Sequence, residues 1–314
     1  MKYDPEGRDV SIPQIFDRKL VAHRRNRSTQ SDCARDAGFL LDRAVDDICE
    51  RLSIVTRDFE NALIIGAHDG RVGRALRAAR PRLATLQVDH AHALLAHADE
   101  PKLVADEEAL PFAPDTFDLV IAPLTLQYCN DLPGVLAQIQ SCLKPDGLLL
   151  GALMGGQTLV ELSDAMLSAE AEMTDTAVMR VMPRIEVRQL GQLLQRAGFT
   201  LPVTDSDVVD VTYQTPLHAM REIKAMGGSN MLAARPPRPM TRGLLMRACE
   251  IYSDRYRTSD GRIRATFEIL TITGWAPHPD QPKPLKPGSA THRLADALGV
   301  DETALSDRKT EDER

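Results

Sequence analysis

The chain has no CxxC pair. Its five cysteines, Cys33, Cys49, Cys129, Cys142 and Cys249, are odd in number and widely spaced. That excludes a disulfide frame and a thiolate zinc site, and predicts reduced thiols in a cytosolic compartment. Basic residues are not in excess either: 38 Lys and Arg stand against 45 Asp and Glu, a formal net charge of -7. A nucleic-acid partner wants a basic surface, so none is expected. No apolar run approaches the ~20 residues that span a bilayer. "MKYDPEGRDVSIPQ" holds no apolar stretch of the signal-peptide kind. The expected location is therefore cytoplasmic, with no membrane span. No internal repeat is visible.

What is present is ordinary globular composition, 43% hydrophobic and 26% charged over 314 residues. That is enough for one large α/β domain or two smaller ones. "NALIIGA", "ATLQVD" (Ala84 to Asp89), a short run ending near Ala105, "DTFDLVIAPLTL" and "LLLGALMG" read as strands. Continuous apolar runs suit parallel strands buried on both faces. Helical segments alternate with them. Leu41, Ala44, Val45, Ile48 and Leu52 share one face of the first; Leu136, Ile139 and Leu143 share another, which should stop at Lys-Pro-Asp-Gly. "IEVRQLGQLLQRAGF" predicts a further helix, with Val187, Leu190, Leu193, Leu194 and Ala197 on one side and Gly198 as its C-cap. The expected fold class is α/β, Rossmann-like, with a mostly parallel sheet and helices on both faces.

Two late strands, "DVVDVTY" and "RATFEILTITGW", are separated by about fifty residues, too many for a bare loop. A helical insertion over 216–258 is expected before the last strand. Its methionines (Met220, Met226, Met231, Met240, Met246) either fill core gaps or line an adaptable pocket. Residues 1–38 form an N-terminal arm, 39–275 the domain, and 276–314 a Pro-rich, polar tail. The arm's basic cluster, Arg18, Lys19, His23, Arg24, Arg25 and Arg27, is a solvated helix face or a docking arm for an acidic partner.

Ligands of such sheets bind beyond the carboxyl ends of the strands. Three signals fall there. Gly66 and Gly70, flanking Ala67, follow the first strand, where backbone approaches a ligand at a helix N-terminus. Asp89 ends the second strand, at the spacing of a ribose-binding acid. Asp106, followed by Glu107, lies just past the third, where a carboxylate can accept from an adenine amino group. The run "DHAHALLAHADE" brings His90, His92 and His97 near Asp89 and Asp99 in sequence. On a helix these do not share one face, so no metal is expected.

From Phe39 to Trp275 the chain resembles a class I S-adenosylmethionine (SAM) methyltransferase, on "ADEEALPF", "DTFDLV" and "LKPDGLLLGA". "IFDRKL", "NDLP", "GGQTLVEL", "LLQRAGF", "MGGSN" and a late "GSA" resemble more narrowly the methyltransferase-like assembly factors of respiratory complex I. A more distant likeness is to malonyl-carrier-protein O-methyltransferases, which implies, as a further alternative, O-methylation of a carrier-protein-bound or small acid. The narrower resemblance implies SAM as cofactor and a protein substrate or client, a complex I subunit. It implies methylation, or arginine hydroxylation as ascribed to the human member, or assembly without catalysis. It also implies that the two acids hold adenosine, that Leu124 to Tyr128 form the pocket floor, and that the insertion is a lid.

The first turn departs from the family pattern. Ile64 stands where an acid helps hold the SAM ammonium, and His68 stands at the middle glycine. Losing one charge-assisted hydrogen bond costs roughly 1.5–3 kcal/mol, or about one to two decades of affinity. Gln127 stands where many relatives have histidine and cannot act as a general base. By residue type, the adenosine half of the site is kept and the methionine half is not.

Overall fold

The structure is a computed structural model that describes residues 13–28, 36–99, 101–174, 178–237 and 239–282. The first twelve residues, Cys33 and the tail from residue 283 lie outside the described residues. Residues up to Pro277 cluster as one unit.

Seven strands lie in the order β3-β2-β1-β4-β5-β7-β6. They are β1 (Asn61–Ile65), β2 (Ala84–Asp89), β3 (Lys102–Val104), β4 (Phe117–Pro123), β5 (Leu143–Met154), β6 (Thr200–Tyr213) and β7 (Ile263–Trp275). The first five are mutually parallel, and β7 runs antiparallel between β5 and β6. This is the expected Rossmann-like α/β fold.

Strand alternation builds two cores. Ala62 and Ile64 of β1 face one layer; Leu63 and Ile65 face the other. The first layer includes α2 (Phe39–Ile54), α3 (Arg71–Ala79), α5 (Val160–Thr174) and α8 (Arg242–Tyr256). The second contains α4 (Leu132–Cys142) and α6 (Val187–Arg196). In α2 the deepest residue near the start is Leu40; Leu41 packs only at the margin. Asp131 caps α4 by accepting from the Gly134 N–H at 2.9 Å, and Pro133 sits in the first turn, where no donor is missed.

Two sequence expectations shift here. Leu143 is the first residue of β5, not the last face of α4, and at the Lys-Pro-Asp-Gly corner the left-handed residue is Asp146 (φ 62). Asp can adopt that conformation at modest cost. After α6, Gly198 (φ 92) ends the helix as read from sequence. The inserted residues between β6 and β7 form α7 (Pro216–Ala225) and α8.

The strand order reverses between β1 and β4. The crevice for a ligand therefore opens beyond Ile65 and Pro123.

Candidate functional site

Gly66 follows β1 with φ 84, and a Cβ there would come within 2.7 Å of the Thr125 Cβ beyond β4. Only glycine lets these two strand ends approach so closely. The Gly66 and Ala67 N–H groups both donate to the Val88 carbonyl, at 2.9 and 3.0 Å, and Gly70 donates to Ala67. Gly70 has φ 79 and starts α3. The turn's donors thus tie it to β2 and close it on itself.

Asp89 is fully buried at the end of β2. Its Oδ1 accepts from the Ala91 N–H at 2.8 Å, and its Oδ2 from the His68 N–H at 3.3 Å. The other partner of Oδ2 comes from a helix far away in sequence. Arg25 of α1 (Arg18–Ser28) donates to Oδ2 at 2.9 Å, and to Thr125 Oγ1 at 3.1 Å. The Thr125 hydroxyl in turn donates to Glu107 Oε1 at 3.0 Å.

One face of α1 supplies a second guanidinium. Arg18 bonds Asp106 Oδ1 at 2.5 Å, Glu107, the Tyr128 carbonyl at 3.0 Å and His90 Nδ1 at 3.2 Å. Two guanidinium groups therefore lie among the carboxylates of Asp89, Asp106 and Glu107, with Glu108 at the margin, 3.8 Å from Arg18 Nε. Burial would raise the Asp106 pKa, but the Glu108 N–H and Arg18 together hold it below the usual value. The strand ends do gather Asp89, Asp106 and Glu107, as the sequence suggested. They gather them around arginines.

The arm's basic cluster is thus not a uniformly solvated face. Arg18 and Arg25, seven residues apart with Val21 between them, turn inward; Lys19, His23 and Arg27 are exposed. That i, i+3, i+7 spacing was the available signal. It was masked because the inward positions are charged.

His68 adopts φ 49, the left-handed region that the family's glycine reaches freely. Its Nε2 lies 2.8 Å from the Pro123 carbonyl, which can only accept, so Nε2 carries the proton. Burial, then the neighbouring Arg25, push its pKa down to about 4, against the pull of Asp89. The imidazole is neutral. Ile64 is fully buried within the apolar layer. The acid of the turn itself, Asp69, is held by Arg71, which outweighs burial and lowers its pKa to about 2.

Beside this cluster lies a cavity of about 1470 Å³. Its wall includes His68, Leu124, Gln127 and Tyr128, and Met220, Met226, Met231 and Met240 from the segment between β6 and β7. Met246 is instead exposed. Gln127 donates to the Leu124 carbonyl at 2.9 Å, while its buried Oε1 has no partner among the described residues. Gly66, Asp89, Asp106 and Glu107 are not part of the cavity wall. The space next to them is filled by α1.

The residues present do not, in this arrangement, fit SAM. Both carboxylates suited to adenosine are engaged by arginines, and the methionine half offers isoleucine and a neutral histidine. His92 and His97 do not join a metal-sized cluster. His90, Asp106 and Glu107 do, and Arg18 bonds all three. Cys49, Cys129, Cys142 and Cys249 are free thiols; burial raises the Cys129 pKa. No helix among the described residues is long and apolar enough to cross a membrane.

Residues 63–151, from β1 to the middle of β5, match the family pattern of a methyltransferase domain. The fold is similar to that of the YcgJ protein from Bacillus subtilis, with TM-score 0.53 at 13% identity, covering 76% of this chain and 99% of that one. The sequence is 32% identical over 270 residues to a malonyl-[acyl-carrier protein] O-methyltransferase of Halorhodospira halophila, covering 83% of this chain and 89% of that protein. It is 34% identical over 299 residues to the mitochondrial arginine-hydroxylase NDUFAF5 of Mus musculus, covering 94% of this chain and 87% of that protein. That likeness spans nearly the whole of both proteins, and the chain belongs to the NDUFAF5 family of methyltransferase-fold proteins.

Proposed function

We propose that this protein is a SAM-dependent enzyme of the methyltransferase superfamily that modifies a side chain of a partner protein. The partner would be a respiratory complex I subunit and the modification methylation or arginine hydroxylation. The observation that carries this reading is the pair of acids, Asp89 and Asp106, set at successive strand ends beside a large cavity. Those carboxylates would take the ribose hydroxyls and the adenine edge. The adaptable methionine wall would take a substrate side chain. The compartment we propose is the cytoplasm, in keeping with the free thiols.

A second reading has its own support. Ile64, His68 and the engagement of Asp89 by Arg25 all suit a cofactor-free assembly chaperone that keeps the fold. Calorimetric titration with SAM and S-adenosylhomocysteine separates the two. Micromolar binding that Asp89→Asn weakens by tenfold or more supports the enzyme. No binding by the wild type or by His68→Gly supports the chaperone.

A further inference from the structure

The three carboxylates at the strand ends form one basin of negative charge, and α1 is its present occupant. Asp89 is fully buried and Glu107 nearly so. Buried charges of this kind need partners, since an unpaired carboxylate away from water is costly. Arg25 and Arg18 are those partners. A nucleoside would meet the same acids through neutral hydroxyl and amino donors. It cannot do so while the guanidinium groups are in place, because Arg25 already bonds the Asp89 oxygen facing the turn.

The seat of α1 is a set of separable contacts. Phe16, Val21, Met231 and Leu232 form a small apolar cluster distinct from the two main cores. Phe16 pairs with Leu232 as an isolated bridge, the Asp17 N–H donates to the Met231 carbonyl while its carboxylate accepts from Arg235, and Arg24 donates to the Asn230 carbonyl. The partners on the far side belong to the segment after α7 that also lines the cavity. The fit is loose at one atom: Arg18 Nε is buried without a hydrogen bond among the described residues and meets Glu108 Oε2 only at 3.8 Å. Further hydrogen bonds join Phe16 to Asn130 and Asn26 to the Ala93 N–H, but all of these partners lie in loops beyond the strand ends, so α1 can leave without unfolding the sheet.

We infer that α1 is an exchangeable plug: Arg18 and Arg25 compete with the nucleoside half of SAM for Asp89, Asp106 and Glu107, so that cofactor binding requires α1 to withdraw. This rests on the reading of the site as a SAM site. Because the α1 seat includes Met231 and Leu232, occupancy of the acid basin is tied to the segment that walls the cavity. The binding-competent fraction of the protein sets the apparent affinity, so loosening α1 should tighten cofactor binding.

The test uses the full chain. SAM is titrated into wild type, an Arg18→Gln/Arg25→Gln double variant, and Val21→Asp. The last unseats α1 through its apolar contacts and leaves every acid and arginine intact. Thermal melts establish that the variants fold. Tenfold or greater tightening in both variants is expected. As a second readout on the wild type, hydrogen exchange of the backbone amides of residues 18–28 should speed up at saturating SAM. Equal affinity in all three proteins would overturn the plug while leaving the SAM site standing. So would slower exchange in α1 with SAM bound, which would mean that the arginines hold the cofactor. No SAM binding by any of the three would overturn the SAM reading itself, and the plug with it.

Discussion

Removing the Arg25 guanidinium should destabilise the protein far more than loss of a surface arginine. Exposed ion pairs contribute about 0–1 kcal/mol. Asp89 has no exposure, and Arg25 is 5% exposed. Breaking a buried pair from one side typically costs about 3–5 kcal/mol, because the remaining charge is left uncompensated. Asp89 keeps two backbone N–H donors, from Ala91 and His68, which places Arg25→Ala near the low end, about 3 kcal/mol. For a chain of this size that is a fall in Tm of about 6–12 °C. Detachment of α1 sets a ceiling: if peeling the helix away costs less than burying a bare carboxylate, the protein takes that route and the loss is smaller. Urea unfolding of Arg25→Ala, Asp89→Asn and the double variant separates the cases. A coupling of about 2 kcal/mol or more is expected, since Asp89→Asn removes the charge that Arg25 was needed to meet. Additivity within about 0.5 kcal/mol would refute the pairing, as independent sites add to that accuracy.

Further outcomes follow from the same geometry. The lowered His68 pKa makes its contribution to stability full above pH 6.5 and progressively lost as the pH falls toward about 4. The upper limit of that loss is about 3 kcal/mol. His68→Gln, which can still donate to the Pro123 carbonyl, should flatten the slope of stability between pH 4 and 6.5; an unchanged slope would place the acid sensitivity elsewhere. Gly66→Ala should cost about 2–4 kcal/mol in urea unfolding, combining left-handed strain with crowding against Thr125. A cost below about 1 kcal/mol would mean the strand ends can separate. Restoring the family acid by Ile64→Asp should destabilise by about 3–5 kcal/mol, because position 64 is fully buried within an apolar layer. Stability equal to wild type would show that water or a shifted arginine reaches it.

The sheet was legible because its strands carry their own statement. Residues 61–65 and 84–89 are short and apolar, and the carboxyl ends of both are marked by a glycine or an acid. The insertion was legible because fifty residues between strands need structure. Asp89, Asp106 and Glu107 were legible as a set since a parallel sheet brings successive strand ends together. Their partners were not. Arg18 and Arg25 lie 72 and 64 residues before His90 and Asp89, and an inward arginine on a basic helix carries the same local pattern as a solvated one. Thr125 escaped for a related reason: its role is set by contact with Gly66 across the switch point, which no spacing along the chain encodes. The shift from Leu41 to Leu40 in α2 reflects a face chosen by packing against β-strand neighbours, where either leucine satisfies the helical period.

The departures in the first turn and the inward arginines are physically linked. Arg25 is the second cause, after burial, that keeps His68 neutral, while Asp89 and Asp69 act the other way. Withdrawal of α1 would remove the cation and admit water, and both changes raise the His68 pKa. The same event would free Asp89 to accept from hydroxyls. A protonated His68 beside the cavity would be a cation at the methionine end of the site, suited to a carboxylate and opposed to an ammonium. The absence of an acid at Ile64 then ceases to be an isolated loss. The turn would then offer a cation at His68 for a cofactor's carboxylate and Asp89 for its nucleoside hydroxyls. A His68 resonance that titrates near 4 alone and moves upward when α1 is unseated by Val21→Asp would join these features into one mechanism. A resonance that stays near 4 in both would leave His68 a spacer, and would assign the loss of the methionine half to the turn alone.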